Sequence, residues 1–303
     1  IEALRRYASA VQNEFEPEFE REPLGGLSRR VVSFHADGLK QYALVVEPAG
    51  QPPADGWPVL LASHGHHPNP PDYGRIADGS TDRPGDYYRT IPDAFAQEGF
   101  LVIVPDFRGH NDSEGGEYAQ GLLESYWYTR DAIAAFRALG SLPSADLSNV
   151  FLWGHSMGGN VTLRALLALG DEVRGASIWS SSSAGLWEKA RNYANRANAD
   201  PQRGSNYLES LAAEINALPF DFDPAQADPT GFLDQLDTPL NIHHATGDPV
   251  TPFRWSESTA ATLADYAHPT TLYAYSSNNH LFTNSDFRLA VASDVAFFWS
   301  LIY

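Results

Sequence analysis

The chain has 303 residues, of which 43% are hydrophobic and 12% aromatic, and it carries a net charge of −18. This composition predicts a globular protein with a sizeable core, and its acidity argues against nucleic acid or an anionic membrane as a partner, since both favour a basic surface. Cysteine is absent, which excludes disulfides, thiol catalysis and cysteine-type zinc sites.

No segment approaches the ~18 consecutive apolar residues of a membrane helix, so we expect a soluble protein. The sequence begins at Ile1, which is compatible with the removal of a signal peptide. The compartment therefore stays open, with secretion and a periplasmic location among the options.

The first part of the chain reads as an extension followed by three strands. Residues 1–28 form an N-terminal extension, within which 2–13 favour a short amphipathic helix. Strands are predicted over 29–36 and 40–48, with an Asp-Gly pair as the hairpin turn between them. The run PVLLASHG at 58–65 is continuously apolar, which indicates a strand buried on both faces.

A long loop at 66–86, rich in Pro, Gly and Asp, comes next, and loops of this length are often functional. Strand-like and helix-like segments then alternate. In chain order they are a helix over 87–98, a strand over 100–109, a helix over 118–139, a strand over 149–154, a helix over 157–169 and a strand over 175–183. Such alternation predicts a mostly parallel sheet with helices on both faces.

The alternation stops at residues 184–236, whose composition is polar and favours helix. We interpret this segment as a lid-like insertion between core strands. The alternation resumes with a strand over 239–248, a helix over 253–264, a strand over 270–276 and a helix over 285–301. The whole pattern predicts an α/β fold, with a single domain over 1–303 and eight strands. Active sites in such folds lie at the carboxyl ends of the strands.

The segment GHSMG at 154–158 is the strongest motif of the chain. It fits G-x-S-x-G between a predicted strand and a predicted helix, the context in which this motif indicates a nucleophilic serine. A sharp turn would present the Ser156 hydroxyl, and side chains at 154 and 158 would clash with the chain passing close by. The structural alternative is a glycine-lined turn in which Ser156 only caps the helix.

A serine nucleophile needs a histidine base and a carboxylate, which follow it along the chain in this kind of fold. His280 lies after the last predicted strand, at the correct end of the sheet. Asp248 ends an earlier strand in the right order, although a Gly-Asp-Pro turn is the structural alternative. The remaining candidates fit worse: His243 and His244 fall inside a strand, His268 and Asp237 lie at the opposite end of the sheet, and Asp286 follows the histidine.

An oxyanion hole should use the backbone N–H of Met157 and one N–H from the loop after the strand 58–65, where His66 is the candidate. The histidines of this region raise a metal site as an alternative: His64, His66, His67 and His110. Their spacing matches no structural zinc pattern, so we predict no metal.

Five segments occur in order and together resemble the α/β-hydrolase superfamily: SHGHHP, PDFRGHNDSEG, GHSMGGN, TGDPVTP and NNH. Within it the chain is similar to the branch of prolyl-oligopeptidase-type domains, dienelactone-hydrolase-like proteins and cinnamoyl esterases. The resemblance covers roughly 28–303 and implies an eight-stranded sheet, a Ser156, Asp248 and His280 triad, oxyanion donors at His66 and Met157, and no cofactor. Asp106 and Arg108 are more consistent with bracing a strand end.

Peptidases of that branch carry an N-terminal β-propeller, whereas this sequence has about 28 residues before the first predicted strand, so we expect no propeller here. The resulting expectation is a serine esterase that acts on a small-molecule ester with a small, medium-sized or aromatic acyl group. Candidate substrate-binding residues are His67, Trp179, Trp187 and Tyr193, although the three aromatic residues could equally pack the insertion on the core. An aminopeptidase or acyl-peptide hydrolase is the alternative enzyme, and a non-catalytic binding protein is the alternative class. The oligomeric state is not predicted.

Overall fold

The computed structural model describes residues 1–66, 90–118, 123–196, 201–218, 223–282 and 284–302. The described strands are β1 (Glu16–Leu24), β2 (Leu27–Ala36), β3 (Leu39–Glu47), β4 (Trp57–Ser63), β5 (Leu101–Asp106), β6 (Ala145–His155), β7 (Gly175–Trp179), β8 (Leu240–Ala245) and β9 (Thr270–Tyr275). The described helices are α1 (Glu2–Ala10), α2 (Thr90–Gln97), α3 (Glu124–Ala138), α4 (Met157–Leu169), α5 (Leu186–Arg196), α6 (Pro201–Asn216), α7 (Pro224–Ala227), α8 (Phe253–Asp265) and α9 (Asn284–Ser300).

All of these strands belong to one sheet in the order β1-β2-β3-β5-β4-β6-β7-β8-β9. The pairs from β5 through β9 are parallel, whereas β1, β2 and β3 add to the edge in antiparallel fashion. The central strands are buried along their whole length, as in β5 and β8, because helices cover both faces of the sheet. The predicted α/β fold class and mostly parallel sheet are confirmed.

The described sheet has nine strands and not the predicted eight. The additional strand is β1, which lies inside the predicted extension 1–28 and pairs antiparallel with β2. Backbone pairing with β2 at the sheet edge, and not burial of its side chains, holds β1 in place. Its sequence, EPEFEREPL, therefore needs no apolar alternation and shows none. The predicted strand over 175–183 also ends early, at Trp179, because Ser180 adopts a left-handed φ of 44° and turns the chain out of the sheet.

Residues 184–236, called the insertion below, hold α5, α6 and α7 between β7 and β8. Its apolar side chains join Leu123 in a small separate core formed by Leu186, Ala190 and Leu211. On its other sides α5 contacts the sheet's own helices, since Lys189 reaches α4 and Glu188 bonds the Trp255 indole on α8. Within the described residues, no helix combines the length and apolar character needed to cross a membrane.

Candidate active site

The turn at Ser156 joins β6 to α4 at the carboxyl edge of the sheet. Ser156 has φ 57° and ψ −117°, a left-handed conformation that is strained for a residue with a side chain. Hydrogen bonds from Ser156 N–H to the Trp179 carbonyl (2.9 Å) and from Ser182 N–H to the Ser156 carbonyl (3.0 Å) fix this backbone. The conformation of Ser156 is therefore held by the neighbouring strand end.

The glycines around Ser156 are required by close backbone approach. A Cβ atom on Gly154 would overlap the Gly158 carbonyl oxygen, and one on Gly158 would overlap the carbonyl oxygens of Ser63 and His64 at the end of β4. The expected clash at 154 and 158 is confirmed. Because the obstructing atoms belong to backbone in the middle of the sheet, they cannot move aside as a flexible side chain would.

Gly158→Ala is expected to lower the free energy of unfolding by about 3 kcal/mol, since the added methyl group meets fixed backbone. Gly116→Ala is the matched control, because a Cβ at Gly116 has no heavy atom within 4 Å and the backbone there is not left-handed. Urea unfolding of both variants measures the difference. Equal unfolding midpoints for the two variants would contradict the packing argument.

The side chains of Ser156, His280 and Asp248 form a connected chain of hydrogen bonds. His280 Nε2 lies 3.0 Å from Ser156 Oγ, and His280 Nδ1 lies 2.7 Å from Asp248 Oδ2. A carboxylate only accepts, so Nδ1 carries a proton and Nε2 is left to accept from the serine hydroxyl. The three residues that the sequence analysis selected, of which Ser156 and His280 are 124 positions apart, thus lie in hydrogen-bonding order.

Asp248 is fully buried at its carboxylate and is held by several donors. Its Oδ1 accepts from the N–H groups of Val250 (2.7 Å) and Thr251 (3.0 Å), and its Oδ2 lies 2.9 Å from Thr251 Oγ1. Burial alone would raise the pKa of Asp248, yet hydrogen bonds from His244 and His280 hold that pKa below its ordinary value. The group is therefore an anion facing His280.

His244 lies beside this site, although the sequence analysis set it aside because it falls inside a strand. Its Nε2 lies 3.3 Å from Asp248 Oδ2 and 3.0 Å from the Thr251 carbonyl oxygen, while its Nδ1 lies 2.6 Å from Ser256 Oγ. Since the carbonyl and the carboxylate only accept, Nε2 is protonated and Nδ1 accepts from Ser256. His244 therefore steadies the same carboxylate oxygen that orients His280.

His155, which precedes Ser156 in the G-x-S-x-G motif, is a second residue of the site that the sequence analysis did not predict. Its Nε2 donates to the His280 carbonyl oxygen at 2.8 Å, and the two rings lie 4.7 Å apart. Burial, followed by the charge of His280, lowers the pKa of His155 to about 3. A neutral ring thus supports the backbone and the ring of His280 without competing for its proton.

The two predicted oxyanion donors lie on segments that the structure packs together. Met157 is the first residue of α4, so its N–H has no acceptor within the helix. The chain leading to His66 lies against the same helix, where the Ser63 and His64 carbonyls approach Gly158. The His66 imidazole lies 3.3 Å from Glu124 Oε1, and this hydrogen bond raises the pKa of His66.

The predicted substrate-binding residues divide into three cases. Trp179 is fully buried and its Nε1 donates to Asp294 Oδ2 at 2.8 Å, so the expectation that it lines an open pocket is wrong. Trp179 and Ser177 are two residues apart in β7 and so lie on the same face of the sheet, the face that α9 covers. Trp187, 38% exposed, and the half-buried Tyr193 both lie on α5. His67 and most of the loop 66–86 lie outside the described residues.

Other residues that the sequence analysis considered, Asp106, Arg108 and His243, bond to buried or neighbouring side chains outside the series of Ser156, His280 and Asp248. Arg108 is buried against Asp131 and also bonds Asp37, while Asp106 accepts from Asn111 at 2.7 Å, in keeping with the bracing role inferred for them. His243 bonds the buried Asp294 at 2.9 Å. In the part of the chain that the structure describes, no group of three or more His, Asp or Glu residues is arranged to hold a metal ion.

A polar cleft of about 400 Å³ opens between the insertion and α8. Its wall combines hydroxyl groups such as those of Ser183 and Ser258 with the Glu188 and Arg254 pair. Ser183 is the neighbour of Ser182, which bonds the Ser156 backbone, and α8 begins five residues after Asp248. The cleft therefore lies on the side of the site that holds the carboxylate.

Over part of its length the chain is similar to known peptidases. The model of a family described as serine aminopeptidase, S33, matches residues 76–211. An uncharacterized peptidase, YtmA of Bacillus subtilis, is 28% identical over 152 residues, and the match spans 50% of this chain and 51% of YtmA. The chain thus matches about half the length of this curated relative.

Solved structures of similar fold include both esterases and peptidases. Acetyl xylan esterase 1 from Thermoanaerobacterium is 16% identical with a TM-score of 0.66, and the match covers all of this chain and 93% of that one. A puromycin-hydrolyzing peptidase of Mycobacterium tuberculosis is 23% identical with a TM-score of 0.68, and the match covers 92% of this chain and 40% of that one. These likenesses show the α/β-hydrolase fold.

Proposed function

We propose that this chain, an α/β-hydrolase with the side-chain arrangement of a serine hydrolase, cleaves carboxylic esters with small, medium-sized or aromatic acyl groups through an acyl-enzyme. The observation that carries the proposal is the hydrogen-bonded series Ser156 Oγ, His280 and Asp248, with contacts of 3.0 and 2.7 Å. A strained serine at a strand-to-helix turn, followed by a helix whose first N–H is open, supplies the setting that acyl transfer needs.

In the first step His280 Nε2 takes the proton of Ser156 as Oγ attacks the ester carbonyl carbon. Negative charge then develops on the carbonyl oxygen, where the N–H groups of Met157 and His66 would stabilise it, helped by the N-terminus of α4. Collapse of the intermediate breaks the bond to the alcohol oxygen, which receives the proton from His280. Asp248 stabilises the imidazolium throughout.

In the second step a water molecule replaces the alcohol. His280 removes its proton, the hydroxide attacks the acyl carbon, and Ser156 leaves with the proton returned by His280. His155 would keep the His280 ring in place during both transfers, since it holds the carbonyl of that residue at 2.8 Å. No cofactor is required by this sequence of steps.

The proposed acyl range draws on the insertion, which we take to act as a lid. Its helix α5, LWEKARNYANR, is too polar to suggest a cover for long acyl chains, yet carries the partly exposed Trp187 and Tyr193. The hydroxyl-lined cleft beside α8 offers room for a polar alcohol portion. An acetyl xylan esterase among the proteins of like fold accords with a small acyl group.

An aminopeptidase is the second candidate, favoured by the family match over residues 76–211. Its substrates would bring a protonated amino group next to the scissile carbonyl. Two buried cationic side chains lie under the insertion, Arg164 on α4 and Lys189 on α5, and their positive charge would disfavour such a group. This electrostatic mismatch is why we prefer the ester.

Three substrates separate these functions: p-nitrophenyl butyrate, butyryl p-nitroanilide and alanyl p-nitroanilide. The esterase proposal predicts rapid release of p-nitrophenol and no preference for the alanyl over the butyryl anilide, because the two acyl groups differ mainly in the charged amine. A kcat/KM for the alanyl anilide about tenfold or more above that for the butyryl anilide would favour the aminopeptidase. Absence of turnover on all three would favour a binding protein.

A further inference from the structure

Two cationic side chains are buried beneath the insertion without an ion-pair partner among the described residues. Lys189 on α5 is 5% exposed and Arg164 on α4 is 4% exposed. Lys189 has one hydrogen bond, from Nζ to Asn160 Oδ1 at 3.3 Å, which leaves two of its three donor positions open. Burying an uncompensated charge is costly, so such a group usually serves a purpose beyond stability.

Asn160, the residue that Lys189 contacts, is itself incompletely bonded. It is fully buried, and its Oδ1 accepts from Arg164 Nη1 at 2.6 Å as well as from Lys189. Its Nδ2 is buried with no acceptor among the described residues. Lys189 and Asn160 therefore present unsatisfied donors side by side, and both would be completed by an anion.

Among the described residues no carboxylate forms an ion pair with Lys189, although the charges of Asp228 and Glu124 act on it from farther away. Asp228 bonds the N–H and the hydroxyl of Thr230, and Glu124 bonds His66. Arg164 is committed elsewhere, since its Nε donates to the Ala227 carbonyl at 2.7 Å. Burial, followed by the charge of Arg164, lowers the pKa of Lys189 to about 7, and the smaller opposing effects of Asp228 and Glu124 do not offset this.

The position of the site relates it to the reacting bond. Asn160 lies on α4 four residues after Ser156, the residue that precedes the helix, which is just over one helical turn or about 6 Å along the axis. The charge of Glu124, which bonds His66, acts on Lys189. Lys189 therefore belongs to the oxyanion side of the site. Lys189 thus bonds the helix whose first N–H is the predicted oxyanion donor, that of Met157.

We propose that Lys189 and Asn160 form an anion subsite that binds the distal carboxylate of the acyl group, so that half-esters of short dicarboxylic acids are preferred substrates. The inference rests on the proposed function. The Lys189 ammonium forms the ion pair, the Asn160 amide donates a second hydrogen bond, and Arg164 holds the amide in place. The carboxylate is bound without a covalent step.

The experiment compares monomethyl glutarate with methyl pentanoate, which has nearly the same shape but no distal charge, by measuring methanol release. The parent protein is expected to show a kcat/KM ratio of roughly ten to a hundred in favour of the glutarate ester. Lys189→Met should bring the ratio to about one or below, and Lys189→Arg should restore part of the preference. Lys40→Met, at the chain's other lysine and paired with Glu18 on the far edge of the sheet, is the control that keeps the ratio.

Two outcomes would overturn the subsite: a parent protein that hydrolyses methyl pentanoate as well as the glutarate ester, or a Lys189→Met variant that folds and keeps the preference. Thermal unfolding of each variant establishes that it is folded. Either outcome leaves the serine esterase proposal intact, because hydrolysis of the neutral ester still reports on Ser156. Loss of all esterase activity in the parent protein would count against both.

Discussion

Replacement of Ser156 by alanine is expected to lower kcat/KM for p-nitrophenyl butyrate by about 10⁴- to 10⁶-fold. The reason is that Oγ is the atom that bonds the acyl carbon, and His280 has no alternative hydroxyl in the same position. The folded state should survive, since the Ser156 backbone is held by its neighbours Trp179 and Ser182 rather than by its hydroxyl. Steady-state kinetics together with a thermal unfolding curve measures both expectations.

Ser148→Ala is the matched control for this change. Ser148 lies exposed near the opposite end of the same strand, β6, so the substitution removes an identical hydroxyl far from the site. It should leave kcat/KM within about twofold of the parent value, as is usual for surface substitutions. Ser156→Ala protein that is folded and retains a tenth of the parent activity would remove Ser156 from the mechanism.

Asp248→Asn is expected to lower kcat by about 10⁴-fold, because the substitution favours the tautomer of His280 that carries its proton on Nε2. The N–H groups of Val250 and Thr251 both donate to Oδ1, so the amide oxygen would keep that position and Nδ2 would replace Oδ2. A donor would then face His280 Nδ1, which must accept, and the proton would move to Nε2. Nε2 could no longer take the proton of Ser156.

The measurement is kcat over a range of pH, with Asp265→Asn as the control. Asp265 is an exposed carboxylate at the end of α8, so its loss of charge matches that at Asp248 without touching the site. The Asp265 variant should follow the parent profile. An Asp248→Asn variant within tenfold of the parent at neutral pH would show that another group orients His280.

Much of the fold follows from the sequence because the central strands are continuous apolar runs between Gly-rich and Pro-rich turns. The segment FLWGH ends β6 within one residue of the predicted boundary, and the glycines after it were correctly attributed to close packing. The strand β1 was missed because EPEFEREPL is an edge strand whose pairing depends on backbone hydrogen bonds, which leave no hydrophobic signature.

The order of Ser156, Asp248 and His280 could be predicted because each residue follows a strand that must end at the same edge of a parallel sheet. The supporting residues could not. His155 bonds the His280 carbonyl across 125 positions, which only the folded chain brings together. His244 is four residues before Asp248, but its place inside the strand gave no sign that its ring turns back to that carboxylate. Trp179 was a candidate for substrate binding because it ends a strand near the site. Successive side chains of a strand lie on opposite faces of the sheet, and that of Trp179 lies on the face away from the site.

The most direct test of the account is the position of a covalent adduct after reaction with a fluorophosphonate, located by peptide mass spectrometry. One adduct per chain is expected on the peptide that holds Ser156, with no adduct in Ser156→Ala and much slower labelling in Asp248→Asn. An unlabelled parent protein, or an adduct on Ser181, Ser182 or Ser183 in its place, would contradict the central claim that Ser156 is the nucleophile.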